Sequence, residues 1–182
     1  MKLIPSVLGV FFSVASSFVF SSGLDFVDNL GVRLDKKAPQ SLIQEYQSTV
    51  SAISGKIEDC DKSEIMLPVE KLPQLNLNRQ QIGFLLGYFH FQADFNCSRE
   101  EVSYYAYLSY GIKQYANGET LKNINNLDDL VLGTQKEIWR ISEEYLKLPL
   151  SREQRDQLES LDVLQKPFKL FEAVDNLTGK RS

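Results

Sequence analysis

The chain contains one histidine and two cysteines, and His90, Asp94 and Cys97 fall at i, i+4 and i+7. On a helix this spacing lines up an imidazole, a carboxylate and a thiol, all of them transition-metal ligands. The neighbouring residues point to a more ordinary use. His90 sits between Phe89 and Phe91, the setting of a core or interfacial histidine held by one hydrogen bond. Asp94, one turn further on, is a ready partner for it. His90 and Asp94 are therefore read as a structural or pH-sensitive pair. No metal and no cofactor is expected, because two cysteines and one histidine are too few for a structural zinc site.

Cys97 has a better partner in Cys60, the only other cysteine. In an oxidising compartment an even pair forms a disulfide. A bridge across this separation is worth roughly 4 kcal/mol of chain entropy. A bridged Cys97 cannot act as a nucleophile, His90 is the only imidazole available to a serine, and no serine stands in a G-x-S-x-G setting. Glu100 with Glu101, Asp128 with Asp129 and Glu143 with Glu144 are adjacent pairs, which point in different directions on a helix. The chain is read as a non-enzyme, and a hydrolase would need distant carboxylates such as Glu101, Glu143 and Glu144 to converge in a cleft.

The strongest compositional feature is aromatic. Phe84, Tyr88, Phe89, Phe91 and Phe95 are followed closely by Tyr104, Tyr105, Tyr107, Tyr110 and Tyr115. Too many rings occur here for all of them to point inward. Tyr104, Tyr107, Leu108, Gly111, Ile112 and Tyr115 are read as a buried face, leaving Tyr105 and Tyr110 as a contact surface for a partner.

The elements that must position these groups are helical. Residues 1–23 run from Lys2 through an apolar stretch to small residues, the order of a secretory signal peptide cut near Ser17 or Gly23. A retained membrane anchor is the competing reading. The net charge is −4, and −5 once Lys2 leaves with residues 1–23. A mildly acidic chain without a basic run is unsuited to nucleic acid. Residues 24–182 form one expected domain, with 24–36 as a packed lead-in. From Pro39, apolar residues recur at three- and four-residue steps until Gly55, which is expected to close that helix. Pro68 and Pro73 make the following stretch an extended connector with short helical turns inside it.

A helix that is apolar nearly all round starts at Asn78 and is expected to end near Cys97. There the sequence SREE at 98–101 resembles the capping box of a new helix. Gly83 and Gly87, four apart, suggest that another helix comes close. The NG at 117–118 is expected to end the helix begun at Ser98. A polar link then leads into one helix carrying Leu127, Leu130, Val131, Ile138, Ile141, Tyr145 and Leu148, stopped by Pro149. SREQ at 151–154 repeats the box, and Phe168, Phe171 and Val174 mark a last amphipathic piece. The expected fold is an all-α bundle of about five or six helices with one intramolecular disulfide.

The function expected from these features is binding: a periplasmic or secreted protein that holds another protein through its tyrosine surface, in the manner of an inhibitor or immunity protein. A carrier enclosing a small apolar ligand beside 82–95 is the alternative. Contact with a membrane is expected only through an uncleaved signal.

Overall fold

The computed structural model describes residues 27, 30–34 and 36–179. The predicted signal peptide, 1–23, lies outside the described residues. The fold is all-α. Among the described residues a single turn, α1 (Leu30–Arg33), precedes six longer helices: α2 (Gln40–Lys62), α3 (Arg79–Lys113), α4 (Gly118–Val131), α5 (Gly133–Leu146), α6 (Arg152–Glu159) and α7 (Leu170–Thr178). No strand occurs among the described residues; a lone parallel bridge joins Ile65 to Phe168.

The organising element is α3, whose 35 residues span about 52 Å. It opens with a reciprocal capping box: the Asn78 side chain accepts from the Gln81 amide at 3.0 Å, and Gln81 Oε1 accepts from the Asn78 amide at 2.9 Å. The expected break at Cys97 does not occur. Residues 88–110 contain neither proline nor glycine, and the inward stripe runs on from Phe89 and Ala93 to Val102 and Tyr105. Ser98 is itself buried, and its hydroxyl donates back to the Asp94 carbonyl at 3.3 Å instead of capping a new helix.

Other boundaries also move. Nothing lies within 4 Å of the point where a Gly55 Cβ would stand, and α2 passes through it to Lys62. Ser63 follows, donating its hydroxyl to the Cys60 carbonyl at 2.7 Å. Cys60 is therefore in the last turn of α2, not in the connector. The polar stretch after 117 is helical from Gly118, which takes the positive φ of 49° that favours glycine, and the single helix expected from Leu127 to Leu148 is instead two, parted at Leu132. The connector is extended apart from one 3₁₀ turn at Val69–Lys71. Ser151 and Gln154 form the expected capping box of α6.

Two cores are strung along α3. Val102, Tyr105, Leu108 and Ile112 of its C-terminal half pack against Ile43, Tyr46, Val50 and Ile53 of α2 and Ile124, Leu127 and Val131 of α4. Leu85, Leu86 and Phe89 of its N-terminal half pack with Tyr145, Leu148, Leu158, Leu164, Phe168 and Ala173. Each large apolar side chain so buried contributes roughly 1.5–3 kcal/mol. Gly87 lets α5 approach: a Cβ there would stand 2.6 Å from Ile141 Cδ1. Gly83 meets nothing within 4 Å, so only one of the two glycines marks a close approach. Between the cores, Cys60 and Cys97 form the disulfide that joins α2 to the middle of α3, with Cα atoms 6.1 Å apart.

Candidate functional site

Successive residues on a helix are 100° apart, so neighbouring tyrosines cannot share an environment. Tyr105 lies in register with Val102, Leu108 and Ile112 and is 0% exposed. This burial corrects its expected place on the contact surface. Tyr110 is 73% exposed, as the surface reading requires. The residues beside it on that face are Tyr107, 72% exposed, and Tyr104, 46% exposed; both were expected to be buried. The signal that separates them is helical phase: 104, 107, 110 and 114 recur on one side, while Leu108 and Ile112 share the side of Tyr105.

The buried side of this region is fixed by a polar chain. Tyr105 Oη donates to Asp128 Oδ1 at 2.7 Å, and Ser109 Oγ donates to the same oxygen at 2.7 Å. Lys113 Nζ pairs with Asp128 Oδ2. Tyr46 Oη lies 3.3 Å from Tyr105 Oη, with the rings tilted by 32°. Burial pushes both phenols well above the usual tyrosine range. They act as hydrogen-bonding struts that lock the phase of α3 against α2 and α4.

With the phase locked, the opposite side of α3 presents tyrosines to solvent. Tyr107, Tyr110, Gly111, Gln114 and Tyr115, with Leu42 of α2, line a groove of about 350 Å³. Gly111 is its floor, since a Cβ there would stand 3.4 Å from a Leu42 methyl. Tyr107 stacks near Tyr104, ring centroids 6.4 Å apart and planes 16° from parallel. Tyr104 Oη donates to Glu45 Oε2 at 2.7 Å, and that bond is the main cause raising the Tyr104 pKa.

His90 and Asp94 meet at the other core. His90 Nδ1 is 3.0 Å from the Phe168 carbonyl, and Nε2 is 3.3 Å from Asp94 Oδ2. A carbonyl can only accept, so Nδ1 carries a proton. Burial lowers the His90 pKa, opposed by Glu64, the Phe168 bond and Asp61. Burial, with Asp61 adding to it, pushes Asp94 up from 3.8 to about 7. Burial thus disfavours the charged form of each side chain across their 3.3 Å contact. Asp61 and Glu64 are also raised, in each case mainly by burial. Cys97 is committed to the bridge, and no group of three histidine, cysteine or acidic residues among those described is arranged to hold a metal ion.

The carboxylates considered for hydrolysis are placed elsewhere. Glu144 pairs with Lys147 at 2.7 Å on its own helix, and Glu101 stands on α3. The 82–95 segment contributes Leu85, Leu86 and Phe89 to a packed core, and the groove described above lies at the opposite end of α3. Among the described residues no helix is long and apolar enough to cross a membrane. No protein-family model, no curated protein and no solved structure matches this chain.

Proposed function

We propose that the chain is an exported protein-binding domain, periplasmic or secreted, which holds another protein against the tyrosine face of α3 as an inhibitor or immunity protein does. The observation that supports this most is the exposure of Tyr107 and Tyr110 beside a groove, on a helix whose other side is locked by hydrogen bonds. A large amphipathic ring on a rigid backbone loses little entropy on binding, which is why tyrosine is enriched at protein interfaces. The disulfide supports export, because such bridges persist outside the reducing cytosol.

The test is differential capture. Full-length protein and its Tyr107→Ser/Tyr110→Ser variant, equally folded by circular dichroism, are used as bait in extracts of the native compartment. A protein retained by the first and lost by the second supports the reading. Identical retention by both baits overturns it.

A further inference from the structure

The tyrosine face has an acidic end, and that end indicates what the partner brings. Glu45 is exposed on α2, oriented by the Tyr104 hydroxyl, and stands where the Tyr104 and Tyr107 rings begin. Glu100 lies one turn before Tyr104 on α3, also exposed. Neither is in an ion pair among the described residues, whereas Lys113, the basic residue nearest the groove on α3, is drawn under the face by Asp128.

We infer that the corner formed by Glu45, Tyr104 and Tyr107 seats an arginine of the bound protein, with an apolar side chain of the same segment filling the Leu42–Gly111 groove. The inference rests on the tyrosine face being the binding surface. A guanidinium is planar, lies flat on an aromatic ring and meets a carboxylate with two parallel hydrogen bonds. Lysine offers a point charge and neither of the other two features. Glu45, at the corner itself, disfavours an anionic group there, while Arg99 offsets the charge of its neighbour Glu100. The fold already lays a guanidinium on a tyrosine internally: Arg155 sits 4.9 Å above the Tyr145 ring while its N–H groups donate to main-chain carbonyls.

Spacing sharpens the partner further. From the middle of the Tyr104–Tyr107 seat to Gly111 in the groove is five to six residues of α3, about 8 Å. Two residues of extended chain cover about the same distance. The matching segment is therefore an arginine followed or preceded, two positions away, by a leucine-sized residue.

Amide-resonance titrations of the full chain with an acetylated Gly-Arg-Gly-Leu-Gly amide test this directly. The expected result is saturable shifts around Glu45, Tyr104, Tyr107 and Gly111, with a dissociation constant of about 1 mM or tighter. Replacing the peptide arginine by lysine, or Glu45→Gln in the protein, is expected to weaken binding about fivefold at an unchanged melting temperature. Equal binding of the arginine and lysine peptides, indifference to Glu45→Gln, or absence of shifts overturns the arginine seat. A captured partner that is lost with Tyr107→Ser/Tyr110→Ser yet indifferent to Glu45→Gln removes the seat and leaves the tyrosine face standing. A partner indifferent to both sets of substitutions removes both.

Discussion

Each half of α3 holds a partly buried aspartate, but the two are compensated differently. Asp128, under the C-terminal half, faces a lysine and two hydroxyls. Asp94, in the N-terminal half, faces one histidine with Asp61 and Glu64 close behind. A buried carboxylate without a cation beside it has its charged form disfavoured, and Asp94 is accordingly pushed up to about 7. The first arrangement makes a rigid platform whose outer side is free to display tyrosines. The second makes a joint whose protonation follows the surroundings. One helix thus carries a tyrosine surface at one end and a titrating pair at the other, with the disulfide between them.

The most damaging way to break this comparison is to cut the link shared by both halves. Cys60→Ser/Cys97→Ser is expected to lower stability by about 2 to 4 kcal/mol, seen as a fall in the urea midpoint. Unchanged unfolding would mean that the two cores are already held together by α3 alone. Next comes the platform. Tyr105→Phe removes one donor to Asp128 and the partner of the Tyr46 hydroxyl, for an expected loss of about 1–2 kcal/mol. Its tyrosine face would also lose affinity for a partner, because the phase of α3 loosens; a full loss of stability with binding intact would uncouple the two.

The joint separates from the platform by its pH dependence. On folding, the Asp94 pKa rises from 3.8 to about 7, so its contribution to stability is fully present below 3.8 and is lost as the pH climbs through about 7. His90 runs the other way: lowered from 6.5 by burial, it costs stability as the pH falls below 6.5. Asp94→Asn keeps the side chain's shape beside His90 and removes the carboxylate. This variant is expected to be about 1 kcal/mol more stable than the parent at pH 8, with the advantage shrinking towards pH 5. A constant difference across that range would show that Asp94 does not titrate as described. The smallest effect belongs to the surface. Tyr107→Ser/Tyr110→Ser is expected to stay within about 0.5 kcal/mol of the parent in thermal unfolding.

Much of the scaffold was legible in the residues alone. The all-α pattern and the Ser151 capping box rest on local chemistry, and the Cys60–Cys97 bridge on there being only two cysteines to pair. Of the glycine pair 83 and 87, only Gly87 faces a neighbouring helix, where a Cβ would force the Ile141 tip, 2.6 Å away, to shift. What was not legible was phase and continuity. SREE at 98–101 has the composition of a helix start, but Ser98 is on the buried side, where its hydroxyl bonds back to the helix. Tyr105 looks like Tyr104 by type and differs only by 100° of rotation, which becomes decisive once Asp128 from α4 is in place to accept its hydroxyl. His90 and Asp94 do meet, but their mutual protonation depends on Phe168, Asp61 and Glu64, which come from three other places in the chain.

Covalent side-chain footprinting tests the central claim, that the tyrosine face of α3 is the binding surface, with an internal control. Trp139 on α5 is 78% exposed and belongs to the other half of the molecule. In buffer, Tyr107, Tyr110 and Trp139 are all expected to label readily. In extract of the native compartment, Tyr107 and Tyr110 are expected to lose labelling while Trp139 keeps it. Protection of Trp139 with Tyr107 and Tyr110 still fully labelled would contradict the account.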